Sequence, residues 1–340
     1  MSGDGTISAL AFAASEMTGE RYIEVVMDNS NGKLPAEYGV VAMLLVQQSL
    51  LHALYVSAGK QIFQFSRSLV RDFLRTDLTE TPIGRLRLPY AAGFLHFGLQ
   101  KHLELDNIWR ASPEYVDGAY YHVGPDGQLT VQLTLSREED ASSGLPGPHF
   151  SLDKDALGGS AHEAVDRALD RMCEGDIQES ESTKGMVSEY RDWEGVARPA
   201  IHQSLSLVLN ALFYLDAYGA NTEPRASESA PTHLQQQFEH ALASKKPKKV
   251  REAVRALEES GFTVVRMCGA SEPDSDSDEK HGTKEGSVRA HWRRGHWRMQ
   301  PHGPQLSLVK RTWIRPTLVG RNHSAPVAGH QYVVGDDSAT

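Results

Sequence analysis

Cysteine is scarce in this chain: of its 340 residues only Cys173 and Cys268 are cysteines, and they lie far apart. Their separation matches no metal-ligand spacing and offers no CxxC pair. The sequence therefore predicts neither a zinc ribbon nor a thiol redox motif. Two isolated thiols suit a reducing cytoplasm, where they serve as small core residues. We expect a cytoplasmic protein.

The chain also lacks the short motifs of several large enzyme classes. It contains no P-loop, no GxGxxG and no GxSxG, the usual signals of phosphate-binding, dinucleotide-binding and serine-nucleophile enzymes. No basic segment precedes an apolar run at the N-terminus, so no secretory signal is predicted. The longest apolar stretch, residues 38–58, is interrupted by Gln47, Gln48 and His52, which favours a buried helix over a membrane span. We predict no cofactor and no membrane partner.

The composition is that of a globular protein. Apolar residues make up 40% and charged residues 23% of the chain, and 340 residues can bury a sizeable core in two or three domains. Residues 34–37, Leu-Pro-Ala-Glu, predict a helix start, and a second amphipathic helix is predicted over residues 62–74. Residues 119–123 and 129–135 flank a Gly-Pro-Asp-Gly turn, which predicts a β-hairpin.

Two further helices follow the strands. Ser160 with Glu163 three residues later forms a capping-box pattern, which predicts an amphipathic helix beginning there. The apolar run 199–218 predicts a core helix, and on it His202 and Asp216 are interpreted as cap or core polar groups. Strands and helices form separate blocks, so we predict an α+β fold. Its parts are a helical N-terminal region, a small antiparallel sheet, the core helix and a C-terminal basic β module.

An acidic segment separates the last module from the rest. Residues 271–286, SEPDSDSDEKHGTKEG, contain almost no apolar surface to offset chain entropy, so they are predicted to be disordered. The predicted domain organisation is a core domain (1–268), an acidic linker (269–287), a basic β module packing on the core (288–321) and a flexible tail (322–340).

The basic module is the most informative stretch. Residues 288–321 hold eight Lys/Arg residues and no acid, although the whole chain has a formal net charge of −9. They also hold three of the five tryptophans. Arginine supplies forked donors and cation–π contacts, and tryptophan supplies a large rigid face. A basic, aromatic patch on an acidic chain predicts one confined surface for an anionic or aromatic partner.

Alternation along a strand divides this module into two faces. It places on one face Trp292, Arg294, His296 and Arg298, and on the other Arg293, Gly295, Trp297 and Met299. One of the two faces must be largely structural. The predicted binding residues are Trp292, Arg293, Arg294, His296, Trp297, Arg298, Trp313 and Arg315.

Histidines in the same segment raise two chemical alternatives. His291, His296 and His302 are the closest set among fifteen, but spacings of five and six residues without a nearby Cys, Asp or Glu fit no common zinc pattern. We therefore predict no metal. A nuclease could use His291 or His296 as acid or base, with Arg293 and Arg294 stabilising a phosphorane. In the other interpretation these side chains are sheet and turn residues of a small β module. We assign no catalytic residue.

Two motifs in the module carry a resemblance to a known family. They are VRAHWRRGHW, residues 288–297, and the tryptophan-containing strand VKRTWIRP, residues 309–316. With these motifs the chain resembles the second family of type V-A anti-CRISPR proteins, and RRGHW is the most specific part of the match. Weaker similarity covers residues 81–97 and 205–216.

The resemblance implies an interaction protein of phages or plasmids that evades host defence. Members of that family are not known as cleaving enzymes. They suppress production of the type V-A CRISPR effector nuclease by recognising its N-terminal segment during translation, which leads to loss of its mRNA. The implied partner is the nascent polypeptide or its translating complex in the bacterial cytoplasm, with RNA as a further partner. The chain departs from the family pattern at residues 271–286, which are acidic here.

The sequence supports two functional hypotheses. The first is an anti-CRISPR-like protein that suppresses a CRISPR effector nuclease during its translation. The second is a nucleic-acid-binding regulator or RNase of a phage or plasmid, which should bind RNA or DNA directly and with strong salt dependence.

Overall fold

The structure is a computed structural model that describes residues 48–83, 86–106, 113–125, 127–138, 145–152, 159–178, 190–219, 222–227, 230–269 and 291–319. The predicted helix start at residues 34–37, the acidic segment 271–286 and the tail 322–340 lie outside these residues. The predicted division into domains stays a prediction.

The described residues contain helices and strands in blocks. Besides the helical residues 48–57, the helices are α1 (Arg67–Leu74), α2 (Ala161–Gln178), α3 (Arg198–Tyr218), α4 (Thr232–Ala243) and α5 (Pro247–Glu259). The first eight strands are β1 (Ile62–Phe65), β2 (Thr76–Asp77), β3 (Ala92–Leu105), β4 (Glu114–Val123), β5 (Leu129–Ser136), β6 (Leu145–Leu152), β7 (Glu223–Ala226) and β8 (Val264–Cys268). The last four are β9 (His291–Arg293), β10 (Gly295–His302), β11 (Leu308–Ile314) and β12 (Thr317–Val319).

The main sheet has seven strands in the order β6-β5-β4-β3-β1-β8-β7. Strand β1 runs parallel to both β3 and β8, and the other neighbours are antiparallel. The predicted hairpin is confirmed as β4 and β5, which pair from Val123 with Leu129 outward. The α+β prediction is confirmed, but the sheet is larger than the small antiparallel one predicted, and it is mixed.

The prediction of one helix over residues 62–74 is wrong in its first part. Phe63 and Phe65 alternate inward with two partly exposed residues, so the segment Ile62–Phe65 fits a strand at the sheet centre. The helix begins after Ser66, whose hydroxyl accepts a hydrogen bond from the backbone N–H of Leu69 at 3.3 Å. Four residues carry too little periodicity to separate a buried strand from a helix start.

Helix α3 is the centre of the core, as predicted. It is buried almost all round, and it packs against β3, α1, α2 and β11. Leu209 and Phe213 are 1% and 0% exposed. The capping box at the start of α2 is confirmed, because Ser160 N–H donates to Glu163 Oε2 at 3.0 Å and Glu163 N–H donates to Ser160 Oγ at 3.2 Å.

Helices α4 and α5 form a smaller hydrophobic cluster of their own, in which Leu234, Phe238 and Leu257 are buried. Lys246 is the N-cap residue of α5, and Pro247 occupies its first turn. No helix within the described ranges combines the length and apolar character needed to cross a bilayer.

Candidate functional site

The basic module contains a β-hairpin, made of β10 and β11, that is anchored in the core at one end. Strand β10 lies between β11 and β2, with His296 opposite Ile314 and His302 opposite Leu308. Gly295 and Trp297 are buried while His296 and Arg298 are exposed. The predicted alternation therefore holds from Arg294 to Arg298. It breaks at Arg293 and at Met299, which are exposed although the prediction places them on the face of the buried Gly295 and Trp297. Arg294 lies between the β9–β12 pair and the sheet that contains β10.

Trp297 and Trp313 form the anchor. They face each other across the hairpin, and their rings stack with centroids 5.7 Å apart and an interplanar angle of 19°. They are 5% and 8% exposed and belong to the main hydrophobic core. The indole N–H of Trp297 donates to Asn210 Oδ1 on α3 at 2.7 Å, which satisfies a polar atom that burial would otherwise leave without a partner.

The second tryptophan joins a buried polar chain at the end of α1. Its indole N–H donates to Thr76 Oγ1 at 3.1 Å, and that hydroxyl donates to the Asp72 carbonyl at 2.7 Å. The Asp72 carboxylate is fully buried and accepts from Arg315 Nη2 at 2.5 Å and Nε at 3.1 Å. A buried carboxylate needs such a charged, hydrogen-bonding partner. Arg315, predicted as a binding residue, thus has a structural partner.

Arg311 is a buried cation that the sequence alone did not single out. Its guanidinium lies 3.8 Å from the centroid of the Phe213 ring, donates from Nη2 to the Ile83 carbonyl at 2.7 Å, and lies 3.4 Å from Asp216 Oδ2. Burial lowers the pKa of Arg311 to about 10, although Asp216 opposes this shift. Arg311 lies opposite the exposed Met299 in the hairpin and is the last buried residue of β11 before the tip.

The glycine of the RRGHW motif allows β10 to approach β2. A Cβ at Gly295 would lie 2.7 Å from Thr76 Oγ1, 2.8 Å from Pro316 Cδ and 3.0 Å from the Ile314 carbonyl oxygen. These distances are too short for a side chain.

Trp292 is half-buried and has the Arg75 guanidinium 3.8 Å from its ring centroid. One face of this tryptophan is therefore already covered by a cation.

Four residues of the module that can carry positive charge are exposed, and we call them together the exposed basic face: Arg293, Arg294, His296 and Arg298. Arg294 is 68% exposed, with Nη1 4.0 Å from Asp77 Oδ2, and such a surface ion pair contributes little stability. Arg298 donates from Nη2 to Gln300 Oε1 at 3.3 Å. Lys310 lies opposite Gln300 and is exposed, so it adds a further positive charge toward the tip.

The tip of the hairpin extends beyond the core and exposes apolar side chains. Met299, Leu306, Leu308 and Val309 are between 45% and 65% exposed. At the turn Gly303, Gln305 and Leu306 have positive φ angles, so the chain reverses sharply there. We call residues 299–309 the overhang. Its isolated, exposed apolar surface is what distinguishes it from the anchored half.

The eight predicted binding residues thus fall into two groups. Trp297, Trp313 and Arg315 hold the hairpin in the core, and Trp292 is partly covered. The remaining four form the exposed basic face, and their binding role stays a prediction. Sequence reasoning missed Arg311 and the apolar overhang. The signal for the overhang was available in Leu306, Leu308 and Val309, which follow a Gly-Pro turn.

Two histidines of this module, His296 and His302, lie far apart on one strand. His296 and His302 stand at opposite parts of β10, six residues apart, which is roughly 20 Å along a strand. They cannot share one ion. A different group does converge: His162, Asp166 and His202 bring their ligand atoms within 4.8 Å of one another between α2 and α3.

Comparison with known proteins identifies the family. The AcrVA2-like family model, described as the anti-CRISPR type V subtype A2 family, matches residues 63–321. The chain belongs to this family. The resemblance carried by the two tryptophan motifs is thereby confirmed. The chain is also similar to the protein in "Crystal structure of AcrVA2", with a TM-score of 0.42 and 13% identity, covering 92% of this chain and 97% of that one. No curated protein matches the chain.

Proposed function

We propose that this AcrVA2-like protein suppresses production of a CRISPR effector nuclease by binding the nuclease's nascent N-terminal segment, which lowers its mRNA. The binding surface in this proposal is the exposed basic face together with the overhang. Family membership supports the anti-CRISPR role. The partner class and the surface are inferred from the physical character of the hairpin.

The observation that carries the proposal is the distribution of exposed apolar side chains. Seven large apolar residues of the described chain are exposed, and five of them lie in the basic module: Met299, Leu306, Leu308, Val309 and Val319. Exposed apolar surface concentrated in one place is typical of an interaction site. A peptide with apolar side chains can bury this surface when it binds, whereas a phosphate group makes no favourable contact with apolar side chains.

The charge of the neighbouring face adds selectivity for the partner. Arg293, Arg294, Arg298 and Lys310 are exposed on a chain whose net charge is −9. A local positive field accelerates the encounter with acidic groups of a peptide or a ribosome-bound complex. The tryptophan anchor holds this face in one geometry, so little conformational entropy is lost when a partner binds.

The test uses bacterial cells that express a reporter carrying the N-terminal segment of a type V-A effector nuclease. One version of the reporter is translated, and the other lacks its start codon. The protein should lower the transcript of the translated version only. Arg294→Glu combined with Arg298→Glu should abolish the effect, whereas the matched change Lys248→Glu with Arg251→Glu on α5 should retain it. Lys248 and Arg251 are exposed and lie on a helix outside the hairpin.

The alternative function gives a different pattern in the same assay. An RNA-binding regulator or RNase should lower both transcripts equally, because it does not require translation of the target. Loss of the effect in both double variants would contradict a specific role for the basic face.

A further inference from the structure

Three side chains converge between α2 and α3, outside the hairpin. His162 and Asp166 are one turn apart on α2, so they lie on the same side of that helix. His202 lies near the start of α3. His162 Nε2 is 3.5 Å from Asp166 Oδ2, and His202 Nε2 is 3.4 Å from Asp166 Oδ1. One carboxylate therefore faces two imidazole nitrogens.

These distances are long for hydrogen bonds, but they match the separation between two ligand atoms that bind the same metal ion. A charge-assisted N–H···O bond is about 2.7–2.9 Å long. Zinc lies about 2.0–2.2 Å from nitrogen and oxygen ligands, so neighbouring ligand atoms in a tetrahedral site are roughly 3.3 Å apart. All three ligand atoms lie within 4.8 Å of one another. An ion between them would need only small side-chain movements.

We propose that His162, Asp166 and His202 form a binding site for a divalent transition-metal ion of the zinc class, which ties α2 to α3. Two imidazoles and one carboxylate are a donor set that zinc commonly takes. The side chains are 43%, 43% and 27% exposed, so water can reach the site and complete the coordination.

The surroundings leave the donors available to a cation. A neutral imidazole has one ring nitrogen without a proton, and that nitrogen can bind an ion. The positive charge of Arg198 lies nearby and would repel a bound cation. Its Nη2 pairs with Asp170 Oδ1 at 2.9 Å, and the negative charge of Asp170 offsets much of that repulsion.

The site also touches the segment that supports the hairpin. The backbone N–H of His162 donates to the Leu78 carbonyl at 3.4 Å, and Asp77 beside it pairs with Arg294. Metal binding should therefore stiffen the contact between α2, α3 and the loop after β2.

The test titrates Zn²⁺ into the purified full-length chain after chelator treatment, and compares it with Asp166→Asn, His202→Ala and the control His240→Ala. His240 is an exposed histidine on α4. Removing even an outer-shell partner weakens metal binding by about 10–100-fold, so loss of a ligand should weaken the tightest site by more than about tenfold. The control should bind like the unmodified protein. Zn²⁺ should also raise the melting temperature of the unmodified protein and of His240→Ala.

Cobalt supplies a second readout, because its visible absorption reports the coordination geometry. Co²⁺ bound to the unmodified chain should give visible absorption typical of tetrahedral coordination by nitrogen and oxygen, and Asp166→Asn should lose it. Circular dichroism shows whether each variant is folded, and His202→Ala replaces Asp166→Asn if the latter is not. The proposal is overturned if the unmodified chain and both ligand variants bind Zn²⁺ with equal affinity, or if Zn²⁺ binds none of them.

Discussion

The stacked tryptophan pair gives the sharpest test of how the hairpin is held. Trp297→Phe keeps an aromatic ring in the core and removes the N–H that donates to Asn210 Oδ1. The buried Asn210 oxygen then lacks this donor, which costs about 1–3 kcal/mol. The smaller ring also leaves a cavity of roughly 40 Å³, which costs about 1 kcal/mol at about 24 cal/mol per Å³. We expect a total loss of about 2–4 kcal/mol in the free energy of unfolding.

The measurement is equilibrium urea denaturation followed by far-UV circular dichroism, because the substitution itself removes a fluorophore. The control is Arg298→Ala on the exposed face of the same strand, which should change stability by less than about 0.5 kcal/mol. If Trp297→Phe is no less stable than Arg298→Ala, the tryptophan is not a structural anchor. The division of β10 into a structural and a binding face would then be wrong.

Three further predictions concern the core and the sheets. Leu209→Ala or Phe213→Ala should lower the free energy of unfolding by about 2–5 kcal/mol in denaturant titration, because both side chains are buried in α3, and a loss below about 0.5 kcal/mol would contradict this. Gly295→Ala should destabilise by about 1–3 kcal/mol through the clash with Thr76 and Ile314, whereas the open position Gly98→Ala would reveal only the cost of its positive φ. Burial lowers the pKa of His149 from 6.5 to about 4, so the unfolded chain binds a proton that the folded chain does not, and stability should fall as pH drops from 6.5 toward 4. His149→Gln should reduce that slope, and an unchanged slope would contradict the assignment.

The sequence predicted elements with long, regular patterns well. The apolar run of α3, the capping box at Ser160 and Glu163, and the β4–β5 turn each contain several mutually consistent local signals. Strand β1 was missed because four residues carry too little periodicity, and its identity depends on parallel pairing with β3 and β8. Such long-range pairing leaves no local signature.

The sequence did not show which residues of the basic module are structural. Alternation predicted two faces of the basic strand, yet it could not tell which tryptophans would be buried. That depends on Asn210 and Thr76, which are distant in sequence and supply the buried acceptors for the two indoles. From the sequence alone, Arg311 and Arg315 look like charges of a binding surface. In the structure they form ion pairs with Asp216 and Asp72, respectively. The His162, Asp166 and His202 group likewise exists only because α2 packs on α3.

Direct binding of a synthetic peptide is the most incisive test of the proposed function. Its sequence is the N-terminal segment of a type V-A effector nuclease, and fluorescence anisotropy follows its titration with purified protein. The unmodified chain and Lys248→Glu with Arg251→Glu should bind the peptide alike. Arg294→Glu with Arg298→Glu should weaken binding by about tenfold or more, equivalent to about 1.4 kcal/mol, while its unfolding free energy stays the same. Equal affinity in the two double variants, or binding of RNA without binding of the peptide, would contradict the proposed role of the basic face.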